Sequence, residues 1–321
     1  MEFANGTKPK KCRELLEAYE RRAASAGAAS KLIFGGVGGR DVYNIAAPFE
    51  DEGESVIAGR VERRDSEESE IVFFTEKEGV WTPREGAPVL RLQDPFRAEI
   101  DGELLIGGVE TYPDPDRPGG LLWRTVLHRG TKIADLKPFF RGPERMKDLR
   151  LTRLTDGGVG VFTRPQGDKG GRGKIGFLRL EALDELNADD IEQAPLLEPQ
   201  FDDEEWGGAN EIHLLADGRL GVLGHIACFD DHGDRHYYPM TFVFDPETGM
   251  HTEIRLLAVR ADFLPGPSKR PDLRDVVFSG GLIRQSGGRA LLYAGVSDAE
   301  AQVLEVDDPF GTFESRGGLR E

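Results

Sequence analysis

Cysteine and long apolar segments are both scarce in this sequence. Among 321 residues there are only two cysteines, Cys12 and Cys228, which lie far apart and lack the spacing of metal ligands. This pattern argues against a disulfide framework or a zinc site and predicts a reducing compartment. No segment approaches the roughly eighteen apolar residues that span a bilayer, and the first residues, MEFANGTKPKK, lack the apolar core of a secretory signal. We therefore expect a cytoplasmic protein with no membrane partner and no bound metal.

Positive charge is also in deficit. Lysine and arginine number 41 against 58 aspartates and glutamates, which gives a formal net charge of −17. Proteins that bind nucleic acid neutralise its phosphates with clustered basic residues, and the sequence contains no basic stripe. The charge composition of the sequence therefore argues against a nucleic-acid partner. It also implies that any cationic pocket depends on a few specific positions within an acidic protein.

Glycine and proline are abundant instead, with 41 and 19 residues, and so many turn formers favour an all-β fold. One hairpin pattern, in which an acidic or glycine turn joins two extended runs, recurs five times. Its turns lie at or near Gly53, Gly102, Gly157, Gly218 and Gly288. Spacings of roughly 50 to 70 residues are typical of propellers or solenoids. We predict a single five-bladed β-propeller over residues 31–321, after an N-terminal helical extension over residues 1–30; a β-sandwich with ordinary hairpins is the plainer alternative.

Two segments have helical rather than strand periodicity. In residues 10–24 the apolar side chains between Cys12 and Tyr19 fall on one helical face, with charged residues between them. This pattern predicts a helix that packs on the outside of the domain. A second, weaker helical pattern covers residues 180–191.

Polar residues occupy matching positions in the five hairpins and interrupt otherwise apolar runs. The first strands contribute Asn44, Asp94, Asp148, Asn210 and Ser279, and the second strands end at Arg60, Glu110, Arg164, His225 and Asp298. The inner strands of propeller blades converge on one axial cavity. A buried polar group is costly unless it is paired or lines a wet site. Five interruptions at equivalent places therefore predict a shared polar pocket.

Single members of this set have plainer explanations. Asp94 precedes Pro95, and Asp-Pro often begins a turn. His225 fits a hydrogen-bonded core histidine, and Lys147 and Arg150 fit a solvated run of charge. The repeat as a whole, rather than any one residue, carries the prediction of a site.

One further cluster has the residue types of a metal site. Its members are Asp230, Asp231, His232, Asp234 and His236. Their crowded polarity and the glycine among them favour an exposed loop, so we predict no metal there.

Eight motifs occur in order along almost the whole chain, from residue 31 to residue 310. They are DVYNIAAPF, IAGRVERRDSE, QDPFRAEIDG, RMKDLRLTRL, GVFTRPQG, WGGANEIHLL, LGVLGHIACF and DVVFSGGL. With them the chain resembles the β-mannoside phosphorylase superfamily, whose best-known members form glycoside hydrolase family 130. The resemblance is greater to the mannosyltransferase-phosphorylase family that makes and degrades β-1,2-mannan in trypanosomatid parasites and has bacterial relatives. It implies the same five-bladed propeller.

The resemblance also implies residue roles. Asp94 corresponds to the family's single catalytic acid. The substrate-binding set is Asn44, Arg60, Asp148, Asn210 and Asp298. The phosphate-binding set is Lys147, Arg164 and His225, to which the sequence adds Arg150. Two departures, Thr163 in place of the usual His and Gln93 in place of a common acidic residue, leave the acceptor specificity open.

The chemistry predicted from these residues is phosphorolysis. An inverting hydrolase needs two carboxylates, whereas a phosphorylase needs only an acid, because phosphate is already a competent nucleophile. One acid facing a cationic pocket is therefore the expected signature. Together with the resemblance, which implies the mannoside substrate and the β-1,2 linkage, this signature predicts an inverting phosphorylase or mannosyltransferase that acts on β-1,2-linked manno-oligosaccharides and reversibly forms α-mannose 1-phosphate, with inorganic phosphate as co-substrate and no organic cofactor.

Other functions stay open at the level of sequence. A hydrolase on the same fold would need a second carboxylate, for which Glu110, Asp148 and Glu211 are candidates. A non-catalytic carbohydrate-binding propeller would bind sugar without turnover. Nucleotide-linked mannose is a possible donor, but there is no Rossmann or P-loop fingerprint, so sugar phosphate ranks first. The oligomeric state does not follow from the sequence.

Overall fold

The computed structural model describes residues 8–22 and 27–314, and most of its regular structure is strand. The strands are β1 (Ala29–Lys31), β2 (Asp41–Tyr43), β3 (Phe49–Asp51), β4 (Glu54–Glu62), β5 (Ser69–Lys77), β6 (Val80–Pro83), β7 (Gln93–Ile100), β8 (Glu103–Pro113), β9 (Leu121–Gly130), β10 (Lys137–Arg141), β11 (Arg150–Arg153), β12 (Val159–Thr163), β13 (Gly176–Leu180), β14 (Trp206–Leu214), β15 (Leu220–Phe229), β16 (Arg235–Phe244), β17 (Arg255–Leu256), β18 (Asp275–Arg284), β19 (Arg289–Val296) and β20 (Glu300–Asp307). The α-helices are α1 (Cys12–Arg21), α2 (Ala188–Gln193) and α3 (Gly311–Glu314). The all-β prediction is confirmed. None of the helices described is long and apolar enough to cross a membrane.

The strands form five groups of antiparallel neighbours. The groups are β2 to β6, β7 to β10, β11 to β13, β14 to β17, and β18 to β20 with β1 at the edge. A short parallel contact between β16 and β18 joins the last two groups, so the described strands make four sheets. Because β1 pairs with β20, the two ends of the strand-forming region lie in one sheet. The sheet order alone does not define a ring of blades, and the five-bladed propeller stays a prediction.

All five predicted hairpins are present. They are β3–β4, β7–β8, β11–β12, β14–β15 and β18–β19, with turns at the predicted glycines. These turn glycines have φ angles between 75° and 95°, a region that residues with a Cβ rarely adopt. Turn chemistry visible in the sequence therefore fixes where the hairpins reverse.

Helix α1 packs against the domain through its predicted apolar face. Cys12, Leu15 and Tyr19 are buried in a core that includes Val222 and Met240 of β15 and β16. The predicted helix is thus present, over Cys12–Arg21 rather than from residue 10. Its predicted end, residue 24, lies outside the described residues.

The predicted helix over residues 180–191 is only partly correct. Strand β13 continues to Leu180, a 3-10 turn follows at Leu183–Glu185, and α2 covers Ala188–Gln193. The Asn187 side chain accepts a hydrogen bond from the backbone N–H of Asp190, which caps α2 and sets its start.

Three aromatic rings form the centre of one hydrophobic core. The Phe162 ring lies edge-on to Phe177 and to Phe244, with centroids 5.1 and 5.5 Å apart. Phe162 is fully buried. Because these rings come from β12, β13 and β16, they join two strand groups.

Replacing Phe162 by alanine is expected to lower the free energy of unfolding by about 3–5 kcal/mol, because it removes a buried ring and leaves a cavity. Urea denaturation measures the effect. The control is Val89→Ala at an exposed position, which should change stability by less than about 0.5 kcal/mol. Equal midpoints for the two variants would show that the cluster does not stabilise the fold.

Candidate active site

Four of the predicted site residues have an uncommon backbone conformation. Asn44, Asp94, Asp148 and Asp298 have φ angles of 44°, 49°, 60° and 50°. Non-glycine residues seldom occupy this left-handed region, and such conformations cluster at functional sites. Asn and Asp tolerate it better than other side chains do.

Local irregularities in the first strands place several of these side chains. The β7–β8 pairing shifts register between Gln93 and Phe96, around Asp94. The β14–β15 pairing shifts in the same way around Asn210. A bulge re-aims a side chain out of the regular alternation, so both residues leave the pattern of their strands.

An inner cavity of about 360 Å³ contains the predicted acid. Its lining includes Asn44, Arg60, Asp94, Lys147 and Asp298. The fold therefore brings together the predicted catalytic residue, three predicted sugar-binding residues and one predicted phosphate ligand.

Asp94 is held from one side and open on the other. Its Oδ1 accepts hydrogen bonds from Asn44 Nδ2 at 2.8 Å and from Arg60 Nη1 at 3.0 Å. Its Oδ2 accepts no hydrogen bond from any described residue and lies 3.9 Å from Lys147 Nζ. One carboxylate oxygen is thus fixed, and the other is available to a bound molecule.

The charge state of Asp94 follows from its neighbours. Burial by itself would raise the pKa of this carboxyl. The positive charges of Arg60 and Lys147, with the hydrogen bonds from Asn44 and Arg60, outweigh burial and hold the pKa of Asp94 well below its usual range. Asp94 is therefore ionised at neutral pH.

Asp298 is a second carboxyl group in the inner cavity. None of the described residues donates a hydrogen bond to it or pairs with it. Burial raises its pKa; Arg60 opposes that rise, and the negative charge of Asp94 adds to it. Its oxygens are left for a ligand in the cavity.

An outer cavity of about 630 Å³ continues from the inner one. The two share Glu67, Gln93, Lys147, Arg235 and Tyr237. Because Lys147 lines both, its ammonium stands where they meet.

Arg164 lines the outer cavity with part of its hydrogen-bonding capacity unused. Its Nε donates to the carbonyl of Gly207 at 2.8 Å and lies 3.4 Å from Asp148 Oδ2. Its Nη1 is buried without a partner among the described residues. An arginine with a free donor at a cavity wall suits an anionic ligand.

Gly208 gives Arg164 the room that it needs. A Cβ on Gly208 would lie 2.9 Å from Arg164 Cδ, 3.0 Å from His225 Cε1 and 3.1 Å from Asp148 Oδ2. Any other residue at this position would displace at least one of these three side chains.

The remaining predicted residues lie behind the cavity walls. Asp148, Arg150, Asn210 and His225 are buried and line neither cavity. The Arg150 guanidinium donates to the carbonyls of Asn210 and Leu149 at 2.6 and 2.9 Å, and burial lowers its pKa to about 10. His225 Nδ1 lies 2.8 Å from Asn210 Oδ1. The contacts of this group favour support of Arg164 over direct ligand binding.

The carboxylates considered for hydrolysis also lie away from the cavities. Glu110 accepts a hydrogen bond from Arg124 Nε at 2.7 Å, and Glu211 accepts one from the Leu282 backbone at 2.6 Å. Asp148 is surrounded by Arg164, Arg150 and His225. None of these three candidates lines either cavity.

The hairpin repeat missed several cavity residues. Lys269 lines the inner cavity, donates to Glu67 at 2.9 Å and pairs with Glu62. Glu62 also accepts hydrogen bonds from Tyr43 at 2.7 Å and Arg60 at 2.5 Å. Lys269 belongs to a connection before β18 that has no periodic pattern, so nothing in the repeat singles it out.

The outer cavity has an aromatic wall that the sequence did not predict. Trp206 and Phe229 lie 4.9 Å apart between centroids, and Trp206 Nε1 donates to the Tyr237 hydroxyl at 3.0 Å. Phe229 is 40% exposed.

The predicted metal-like cluster lies in the adjoining β15–β16 turn, which is mostly exposed as expected.

Two solved structures resemble this fold along nearly its full length. The mannose phosphorylase MPT-4 from Leishmania mexicana, solved with a phosphate ion, is 33% identical with a TM-score of 0.86 and 94% of each chain covered. The GDP-Man-dependent mannosyltransferase MPT-1 from the same organism is 32% identical with a TM-score of 0.84, covering 94% of this chain and 95% of its own. A β-1,2-mannobiose phosphorylase from Listeria innocua, 13% identical with a TM-score of 0.59 over 86% and 92% of the chains, shares the fold.

These relatives place the chain among proteins with the fold of mannoside phosphorylases and mannosyltransferases. The family model described as protein of unknown function (DUF1861) matches residues 18–312, and the chain belongs to this family. No curated protein sequence matches it. The resemblance predicted from the sequence motifs is confirmed.

His225 and His236 are expected to titrate in opposite ways. Burial lowers the pKa of His225 to about 3, whereas the hydrogen bond to Asp275 raises the pKa of His236 to about 9. Between about pH 5 and 8, His225 should stay neutral and His236 should stay protonated. Ring NMR shifts measure both, with His236→Gln assigning the signals. A His225 signal that titrates near pH 6.5, the usual value, would contradict this burial.

Proposed function

We propose that this chain transfers mannose between a β-mannoside and phosphate, with inversion, and so forms α-mannose 1-phosphate reversibly. The observation that carries the proposal is the ionised Asp94 carboxylate facing Lys147, a cation that lines both cavities. The relatives support the enzyme class, since MPT-4 is a mannose phosphorylase and MPT-1 a GDP-Man-dependent mannosyltransferase. The β-1,2 linkage rests on the sequence resemblance.

The architecture proposed for this reaction is the five-bladed propeller. The five antiparallel groups are its blades, and β1 completes the last one beside β20. Residues 31–321 form the catalytic domain of a cytoplasmic enzyme, and no metal or organic cofactor takes part in the transfer.

The inner cavity holds the mannosyl residue. No described residue donates a hydrogen bond to the oxygens of Asp298. These oxygens accept hydrogen bonds from the hydroxyls of the sugar. Asn44 and Arg60 hold Asp94 against the same sugar. The leaving oxygen of the glycosidic bond lies toward Asp94 Oδ2.

Phosphate binds to Lys147 and Arg164 on the outer side. Phosphate offsets the charge of Lys147, so that Asp94 takes up a proton from the bound phosphate or from water. A phosphate oxygen attacks the anomeric carbon from the face opposite the leaving oxygen, the glycosidic C–O bond breaks, and Asp94 passes this proton to the leaving oxygen, directly or through a sugar hydroxyl. In the reverse direction Asp94 takes the proton from the acceptor hydroxyl, for which its ionised form is suited.

Hydrolysis and simple sugar binding are disfavoured. None of the carboxylates Glu110, Asp148 and Glu211 lines a cavity where it could activate water. Of the two other carboxylates in the cavities, Glu67 is paired with Lys269, and Asp298 is assigned here to the sugar hydroxyls. A lectin has no need of the free Arg164 donor beside Lys147. A nucleotide-linked donor would stack on the aromatic wall of the outer cavity, which also suits an acceptor sugar.

The direct test is incubation with β-1,2-mannobiose, with and without phosphate. We expect α-mannose 1-phosphate and mannose only when phosphate is present, identified by phosphorus NMR and the anomeric coupling. A β-1,4-linked mannosyl-glucose control tests the linkage. Free mannose released without phosphate would replace the proposal with hydrolysis, and binding without any product would replace it with a lectin.

Replacing Asp94 by asparagine should lower kcat roughly 10²–10⁴-fold, because the proton donor and acceptor is lost. The matched control is Asp101→Asn in the turn of the same hairpin, where φ is also positive at 55°. Asparagine tolerates this conformation at both sites, and Arg60 keeps Glu62 as its ionic partner when Asp94 is replaced, so both variants should fold. Near-normal turnover by Asp94→Asn would remove this residue from the mechanism.

Replacing Lys147 by glutamine should change the pH profile of synthesis. Lys147 lowers the Asp94 pKa, so its loss raises that pKa. Synthesis needs ionised Asp94 and fails as pH falls through its pKa. The acid limb of kcat should therefore move to higher pH in this variant and stay in place in the control Lys137→Gln, which alters an exposed lysine. An unmoved limb would show that Lys147 does not act on Asp94.

A further inference from the structure

The two cysteines, far apart in the sequence, meet in the fold beside a buried carboxylate. The Sγ atoms of Cys12 and Cys228 and a carboxylate oxygen of Glu205 all lie within 4.8 Å of one another. They come from the start of α1, from β15 and from the residue before β14. The sequence predicted no metal site because it gives no sign of this meeting.

We propose that Cys12, Cys228 and Glu205 bind a thiophilic divalent cation of the Zn²⁺ type. Two thiolates and a carboxylate are ligands that Zn²⁺ takes in tetrahedral sites, with Zn–S near 2.3 Å and Zn–O near 2.0 Å. Two sulfurs on one such ion are about 3.8 Å apart, so the observed cluster needs only a small contraction. Water completes the coordination.

The carboxylate is already oriented by the helix. The backbone N–H of Cys12 donates to both oxygens of Glu205, at 2.8 and 3.0 Å. A carboxylate has about four lone-pair sites, so this contact leaves capacity for a metal. It also fixes the Cys12 and Glu205 ligands relative to each other before an ion arrives.

The cluster lacks positive charge of its own. Among the described residues, no lysine or arginine forms an ion pair with Glu205, whose carboxylate accepts from the Cys12 backbone N–H. A divalent ion that binds two thiols and a carboxylate replaces their protons and stabilises the cluster.

The position of the cluster gives the ion an entry path and a structural effect. Cys12 is 2% exposed, whereas Cys228 is only partly buried, so an ion can reach the site past Cys228. Glu205 and Cys228 directly precede Trp206 and Phe229 of the outer cavity wall. A bound ion would therefore tie α1 to this wall while touching no residue assigned to the reaction.

The test uses the full chain, reduced and stripped of metal, titrated with Co²⁺ and then with Zn²⁺. We expect one equivalent of Co²⁺ with a thiolate-to-cobalt charge-transfer band, displacement of Co²⁺ by Zn²⁺, and a higher Tm with Zn²⁺. Cys228→Ser should remove about half of the band at saturating Co²⁺, because one of the two thiolates is lost, and weaken metal binding at least tenfold. Glu205→Gln, which keeps an acceptor for the Cys12 N–H, should keep the band and bind about tenfold more weakly.

The metal-free Tm of each variant separates lost binding from lost folding. A wild-type chain that takes up no Co²⁺, or a band that keeps its full intensity in Cys228→Ser, overturns the proposal. The proposal is also overturned if the reduced chain binds neither metal but forms a Cys12–Cys228 disulfide with hydrogen peroxide. In that oxidation the two thiols give two electrons and two protons to the peroxide, which becomes two waters. Mannosyl transfer does not enter these readouts, so the site and the proposed function can fail independently.

Discussion

The buried ion pair between Arg60 and Asp94 is the interaction on which the site depends. Both side chains are almost fully buried, and Arg60 also binds Glu62, so one guanidinium compensates two carboxylates. Removing one partner of a buried pair leaves an uncompensated charge at a cost of about 3–5 kcal/mol. The pair therefore fixes Asp94 at the cavity floor and also sets its charge. In the proposed mechanism, this contact positions the proton that Asp94 transfers.

The polar residues of the inner cavity, Asn44, Arg60 and Asp94, are surrounded by apolar strands that hold them in place. Ile45 and Ala58, next to Asn44 and near Arg60 in the β2–β4 region, are fully or almost fully buried. Gly280 approaches the Ile45 carbonyl so closely that a Cβ could not be placed there. Close backbone packing between the first and last strand groups thus keeps Asn44 in its left-handed conformation. The strained conformation of Asn44 is therefore stabilised by packing of residues that take no part in the proposed reaction.

The sequence predicted the hairpins and the centre of the site because both follow from local rules. Turn glycines and strand alternation identify Asn44, Asp94 and Asp298, and the structure brings them to one cavity. The same positions in the third and fourth hairpins gave Asp148 and His225, which lie behind the wall. A repeat defines which residues are equivalent along the chain, whereas their depth depends on the length and packing of each strand. Lys269 was missed because its connection has no period.

The acidic composition of the chain contrasts with the cationic side chains that line its two cavities. The chain carries a formal net charge of −17, whereas the cations Lys147, Arg164 and Lys269 line the two cavities. Lys269 is satisfied by Glu62 and Glu67, so it cannot offer its full charge to a ligand. Among the described residues, Lys147 forms an ion pair only with Asp94, at 3.9 Å, and Arg164 Nη1 has no hydrogen-bond partner. These two cations are therefore the candidates to hold an incoming anion. In the proposed reaction, an anion bound to Lys147 weakens the field that keeps Asp94 ionised, so that the acid gains its proton when phosphate is present.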